Sequence, residues 1–278
     1  MSVLLRLAYD GTDFAGFAAQ PGQRTIQGEL EATLSRLLSS PGIVIRGASR
    51  TDAGVHARGQ LVAFEKPVPI PPDGVLAGLT GALPRDLAAV DAWEEVAADG
   101  GPINPRFGNG GKRYRYDLTI DSRADPFRDR YAWRLDRDLD LGRMRQAAAW
   151  MVGTHNFAAF RASDCQASTT TRTITRVDLQ QTDAPASGGQ RVHVEVEGTA
   201  FLKRMVRVIA GTLVDVGRGR RAPDSVLQAL TSGQRRDAGP TAPAHGLCLV
   251  EVLWPAAGPT GPTLSGARAA RDEAGAQD

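Results

Sequence analysis

Apolar and polar residues alternate with a period of two at several separated places, and this pattern limits the possible fold more than any other feature of the chain. Val3, Leu5, Leu7 and Tyr9 alternate with Leu4, Arg6 and Ala8. Lys112, Tyr114, Tyr116, Leu118 and Ile120 alternate with Arg113, Arg115, Asp117 and Thr119, and Val192, Val194 and Val196 alternate with polar residues. Successive side chains of a strand point to opposite faces, so each run predicts a strand. Ile43-Val-Ile45 and Leu61-Val-Ala-Phe64 are short, apolar and partly β-branched, which predicts two more. Ala88 to Val96 and Leu247 to Trp254 read the same way.

Helical spacing lies between these runs. Ile26, Leu30, Leu34, Leu37 and Leu38 follow Thr25, a suitable N-cap, and Ser39-Ser-Pro-Gly42 stops the helix. Asp73 to Leu79 predicts a second helix, and Leu141, Met144, Ala148 and Met151 predict a third beginning after Asp140. Phe201, Met205, Val208, Ile209, Thr212, Leu213 and Val216 form the stripe of a long helix ended by Gly217 and Gly219. Strands with two helices in each half predict an α+β protein, its antiparallel-rich sheet covered by helices on one face. A chain of 278 residues suits one large domain or two small ones. The halves divide at residues 1–105 and 106–254, and residues 255–278, rich in Pro, Gly and Ala without periodicity, read as a disordered tail.

Hydrophobic residues make up 42% and charged residues 23%, as in ordinary globular proteins. No apolar run approaches the ~20 residues that a membrane span needs. Met1-Ser-Val-Leu-Leu-Arg6 lacks the basic start and long apolar segment of a secretory signal, so a cytoplasmic location is expected. Cys165 and Cys248 lie far apart with no second cysteine or histidine at ligand spacing, and His56, His155, His193 and His245 are scattered. Two unpaired thiols, no metal site and no cofactor are therefore expected. The net charge is only +2, but Arg106, Lys112, Arg113 and Arg115 form one basic group, and Lys203, Arg204 and Arg207 another. Arg218, Arg220 and Arg221 form a third, with Arg235-Arg236 close behind, while acids gather at Asp136 to Asp140 and Glu94-Glu95. Such segregation can build a positive groove for nucleic acid on a nearly neutral protein.

Gly47-Ala-Ser-Arg-Thr-Asp-Ala-Gly-Val-His-Ala-Arg-Gly-Gln60 carries the chemistry: it sets Asp52 beside Arg50 in a glycine-bounded loop between two predicted strands. Taken alone, Arg-Thr-Asp also fits a turn with an Asx-type cap and a surface ion pair. The octamer Arg50-Thr-Asp-Ala-Gly-Val-His-Ala57 resembles the catalytic motif of the pseudouridine synthases, specifically the tRNA pseudouridine synthase A family. Tyr9-Asp-Gly-Thr-Asp-Phe14, Thr25-Ile-Gln-Gly-Glu-Leu30, Leu83-Pro-Arg-Asp-Leu87 and Lys112-Arg-Tyr-Arg-Tyr116 are similar to that family's signatures. So are Gly153-Thr-His-Asn-Phe157, Phe201-Leu-Lys-Arg-Met-Val-Arg207 and Thr241-Ala-Pro-Ala-His-Gly-Leu247, in matching order. Ile103-Asn-Pro-Arg-Phe107 departs, standing where members usually carry Phe-His-Ala-Arg-Phe.

The resemblance implies two related α/β subdomains with joined sheets, an active-site cleft between them, homodimers, and pseudouridine formation around positions 38 to 40 of tRNA. It assigns Asp52 as the essential acid, Arg50 as the side chain filling the space of a flipped uridine, Tyr114 as the ring stacked on the target base, and Arg207 as the partner of the carboxylate. Read without it, Tyr114 is also a packed strand tyrosine and Arg207 a solvated helix residue; Leu247 lines the pocket or is plain core. His56 is expected to pack the loop rather than to catalyse. Two rival functions are a non-catalytic RNA-binding module and a hydrolase. Tyr114 and Tyr116 alternate with arginines, but the glycine-aromatic core of the common RNA-recognition motif is missing. Glycosidases need two carboxylates, and Asp52 has no second acid within its motif.

Overall fold

A computed structural model describes residues 1–65, 67, 69–97, 99–121, 123–182 and 190–255. The first half runs β1 (Ser2–Tyr9), α1 (Ile26–Leu37), β2 (Arg46–Gly47), β3 (His56–Glu65), α2 (Pro72–Ala82), β4 (Leu87–Glu95) and α3 (Pro105–Gly108). The second half continues with β5 (Gly111–Ile120), β6 (Trp133–Leu135), α4 (Leu141–Ala149), β7 (Gly153–Asn156), β8 (Thr171–Thr182) and β9 (Gln190–Gly198). It ends with α5 (Met205–Gly217), α6 (Ser225–Ser232) and β10 (Leu247–Leu253). Except for Pro255, the expected tail lies outside the described residues.

The strands join in one mixed, antiparallel-rich sheet of order β4-β1-β3-β10-β5-β9-β8-β7, with β2 added to β3 and β6 to β5, and the protein is α+β. Only β10 with β3 and β5 with β6 run parallel among the described pairs. The last strand therefore sits in the middle, joining β3 of the first half to β5 of the second. β3 meets β10 at His56 and Ala57 and β2 at Val62 and Ala63, so the loop from β2 to β3 opens beside the junction. Leu4 and Phe64 share one apolar cluster with Val194 and Leu213.

Local chemistry explains most elements. The Thr25 side chain accepts from Gly28 N at the start of α1, and the Asp140 side chain accepts from Arg143 N at the start of α4. In β5 the residues from Lys112 to Ile120 that read as one face are buried, with Arg113, Arg115 and Asp117 on the other. The departure at residues 103–107 builds a capped turn: Asn104 accepts from Arg106 N, Pro105 occupies the first turn, and Ile103 N donates to Ser2 Oγ at 3.0 Å.

Three expectations need correction. Ile43 to Ile45 is no strand, because Ile43 N donates to Ser35 Oγ and Ile45 N to Glu31 Oε1, leaving only Arg46–Gly47 to pair with β3. The long helix begins at Met205, not Phe201, since Arg204 turns the chain with φ of +61°, the left-handed region that non-glycine residues seldom adopt. The alternation read in β1 fails at Leu4, which is as buried as Val3 and Leu5, so this strand is covered on both faces there.

Candidate active site

Asp52 begins a tight turn in which Val55 N donates to Asp52 O at 3.1 Å and Gly54 takes φ of +76°. That angle suits glycine, and a Cβ there would press to 3.3 Å from the Ala244 Cβ. The turn thus leans on the segment before β10. His56 follows as the first residue of β3, not within the loop, and is buried. Its Nδ1 accepts from Gly11 N at 3.1 Å and its Nε2 faces His245 O at 3.1 Å, a pairing that the neutral ring satisfies with its proton on Nε2. Burial lowers its pKa, so the ring packs the loop as a neutral group.

Arg207, in the first turn of α5, donates from Nη1 to Asp52 Oδ2 at 2.8 Å and from Nε to Ala242 O at 2.8 Å. Ala242 N returns a bond to Arg207 O at 3.1 Å. A cation at the positive end of a helix is unfavourable by itself, and Asp52 supplies the opposite charge. Gly211 permits this docking, because a Cβ there would stand 1.9 Å from Pro240 O. Both partners are partly buried, with side chains 15% and 24% exposed for Arg207 and Asp52. Among the described residues, the Asp52 carboxylate accepts no second hydrogen bond.

Tyr114 reaches the same loop from β5. Its hydroxyl pairs with Ser49 Oγ at 2.8 Å, and its ring meets Phe201 edge-on with centroids 5.1 Å apart. Burial pushes the phenol up to about 12, against the Ser49 hydrogen bond and with help from the Asp52 charge. Leu247 is 6% exposed and pairs with Tyr116 across β5 and β10, in the core. Arg50 lies exposed, two residues before Asp52. The fold therefore gathers Asp52, Arg207 and the Tyr114 hydroxyl, leaves Arg50 at the surface and sets Leu247 behind them. Sequence reasoning missed Ser49 and the Ala242 carbonyl; no residue type marks a backbone acceptor.

The basic groups are less free than their sequence suggests. Lys112 is buried on Asn109 Oδ1 at 2.9 Å, and burial, with Arg106 nearby, lowers its pKa to about 8. Arg113 pairs with Glu251, and Arg115 with Asp117, on the face of β5 opposite Tyr114. Arg218 pairs with Asp136, and Arg220 and Arg221 with Asp215. A cavity of about 400 Å³ is bounded by Asp10, His56, Arg58, Arg85, Arg115 and Cys248, and Asp52 does not line it. Cys165 and Cys248 are unpaired. Among the described residues, no three His, Cys, Asp or Glu side chains are placed to hold a metal ion, and no helix is long and apolar enough to cross a membrane.

Residues 7–98 and 147–255 match the family model of the tRNA pseudouridine synthases. The chain is 45% identical over 271 residues to the tRNA pseudouridine synthase A of Myxococcus xanthus, covering 98% of each. It is 42% identical over 252 residues to that of Geotalea uraniireducens, covering 91% of this chain and 99% of the relative. Against a chain in the crystal structure of a Cbf5-Nop10-Gar1 complex the TM-score is 0.34 at 11% identity, over 76% of this chain and 45% of that one, too slight a likeness to bear on the fold.

Proposed function

The chain belongs to the tRNA pseudouridine synthase A family, isomerases that form pseudouridine in tRNA, and from that premise we propose that it acts on uridines around positions 38 to 40 of the anticodon stem-loop with Asp52 as the essential carboxylate. The observation that carries this reading is the Arg207 to Asp52 contact at 2.8 Å. The guanidinium sets a positive charge against one oxygen of the carboxylate, while the lone pairs that Arg207 leaves open remain available to the substrate. Isomerisation breaks the bond from N1 to C1′, turns the base, joins C5 to C1′ and releases the hydrogen of C5 as a proton, while N1 takes up a proton in place of its bond to the sugar. An ionised carboxylate serves three routes to that end: attack on C6, attack on C1′, or removal of a sugar proton to form a glycal. No external reactant is consumed.

A uridine in a stem or loop leaves its stack at a cost of about a few kcal/mol. Stacking on an aromatic ring returns ~1 to 3 kcal/mol per base. Tyr114 takes the stacking role on this reading, and since it is only 5% exposed, the side chains covering it must move when the base enters. Arg50 is free to fill the space the base leaves, and Leu247 backs the pocket. Residues 1–105 and 106–254 act as two subdomains around the substrate, and the enzyme works in the cytoplasm as a homodimer.

Incubation with unmodified tRNA carrying tritium at uridine C5 tests the reading. Tritium release by the parent protein and none by Asp52→Asn, with both binding tRNA, is the expected result. Binding without release by the parent would leave an RNA-binding module instead.

A further inference from the structure

Gln60 is fully buried, yet it carries an amide where the residues that follow it on β3 are Leu61, Val62 and Ala63. Its position explains why. β2 pairs with β3 at Arg46 with Ala63 and Gly47 with Val62, and one more backbone bond follows, from Ala48 N to Leu61 O at 2.8 Å. At the next residue the ladder is continued by a side chain: Gln60 Nε2 donates to Ser49 O at 2.6 Å, and Gln60 Oε1 accepts from Ser49 N at 3.3 Å. Both backbone polar groups of Ser49 are thereby held at the point where the loop leaves the sheet.

The remaining valences of the amide are used as well. Oε1 also accepts from Leu61 N at 3.2 Å, and Nε2 faces the Tyr9 hydroxyl at 3.5 Å. The Tyr9 hydroxyl in turn pairs with Thr51 Oγ1 at 2.9 Å. Burial raises the pKa of the Tyr9 and Tyr114 phenols, so both remain neutral hydroxyls. Two donors and two acceptors of Gln60 are engaged. The residues on either side of Arg50 are gripped, Ser49 directly and Thr51 through Tyr9. From the second half, the Tyr114 hydroxyl meets Ser49 Oγ at 2.8 Å.

An apolar side chain could fill the same core volume without needing four matched partners, and a buried amide is unfavourable unless every partner is present. What the amide adds is orientation. We propose that Gln60 and Ser49 are positioning residues for the isomerisation: Gln60 sets where the acid-bearing loop departs from β3, and Ser49 couples that loop to the Tyr114 hydroxyl, so that Asp52 and Tyr114 share one frame. This rests on the assignment of Asp52 and Tyr114 to the reaction.

The experiment measures kcat and KM for tritium release, together with tRNA affinity and melting temperature, from pH 6 to pH 9 in the parent, Gln60→Glu, Ser49→Ala and Asp52→Asn. In Gln60→Glu the ionised carboxylate would present lone pairs to Ser49 O and the Tyr9 hydroxyl, whereas the protonated acid restores one donor. This variant is expected to lower kcat by about 10- to 100-fold at high pH, the scale of a misplaced reactive group, with KM nearly unchanged. Its deficit relative to the parent shrinks as pH falls, because burial raises the pKa of the new carboxyl. Ser49→Ala keeps the backbone grip but frees the Tyr114 hydroxyl, and is expected to lower kcat by about three- to tenfold, the scale of one hydrogen bond. A role confined to stability would move the melting temperature without a pH-dependent kcat. If both variants turn over like the parent while Asp52→Asn is inactive, the positioning role is wrong; if Gln60→Glu does not fold, a parent-like kcat in Ser49→Ala overturns it alone. An active Asp52→Asn overturns the underlying assignment instead.

Discussion

Asp10 and Asp52 both lie in the first half of the chain, both are partly buried, and both pair with an arginine of the second half, yet they differ in what remains open on the carboxylate. Asp10 accepts from Thr12 N at 3.1 Å, Thr12 Oγ1 at 2.6 Å, Arg130 Nε at 2.8 Å and the Tyr131 hydroxyl at 2.9 Å. Among the described residues, Asp52 accepts from Arg207 alone. Burial by itself would raise the pKa of Asp10, but the hydrogen bonds from Thr12, Arg130 and Tyr131 outweigh it and hold this carboxyl well below the ordinary range. A carboxylate whose lone pairs are all occupied clamps two segments together. One with open lone pairs beside a cation can act on a substrate.

Asp52→Asn gives the largest expected effect. It keeps the size of the side chain and, on the proposed assignment, removes the nucleophile or base, so turnover should fall by about 10⁴-fold or more. The matching change, Asp10→Asn, should leave kcat within about threefold of the parent, since Asp10 bonds none of Asp52, Arg207 and Tyr114. Equal losses of turnover in two folded variants would break the distinction. Tyr114→Phe comes next: if its hydroxyl carries the proton released from C5, turnover falls ~100-fold while tRNA binding holds. Full activity in Tyr114→Phe limits the residue to stacking, and full activity in Tyr114→Leu removes it from the site. Arg207→Lys keeps the charge but cannot span Asp52 and Ala242 O with one planar group, and kcat should fall about tenfold, the equivalent of one charge-assisted hydrogen bond.

The smallest effect is on stability and falls on Asp10. Its folded-state pKa lies below the unfolded value, so its contribution is present above about pH 4 and is lost as pH falls toward the folded value. Asp10→Asn should therefore melt a few degrees below the parent at pH 7, following the loss of about 1 to 3 kcal/mol from a partly exposed charge-assisted network. Thermal melts from pH 7 down to pH 3 should show that gap closing. A gap that stays constant would mean that the Asp10 charge is not what joins Arg130 and Tyr131 to β1.

Elements with a one-sided apolar pattern are legible in the sequence: β5 and β9 through alternation, α1 and α4 through spacing and a capping side chain. Strand β8 is not, because among Thr171–Thr182 only Ile174 and Leu179 are buried, which leaves no alternation to read. Ile43 to Ile45 misleads for the opposite reason, since its amides bond side chains of α1 while Ile43 and Ile45 are buried in the core. The basic clusters are visible as charges, but their acidic partners lie far away in sequence: Glu251 for Arg113 and Asp136 for Arg218. At the site, Asp52 and Arg50 stand in one motif, and the resemblance supplies Tyr114 and Arg207. Neither source points to Gln60 as the residue that holds Ser49.

By itself the sequence determined the α+β class, the order of most strands and helices, the family and the acid in its glycine-bounded loop, because these depend on local periodicity, turn chemistry and contiguous motifs. Only the tertiary structure decided that β10 enters between β3 and β5, that Arg207 reaches Asp52 across 155 positions of chain, and that Asp10 is fully bonded while Asp52 is not. Those outcomes depend on which donors the packed strands and helices bring within about 3 Å of each acceptor, a distance set by the whole fold and carried by no local stretch of residues.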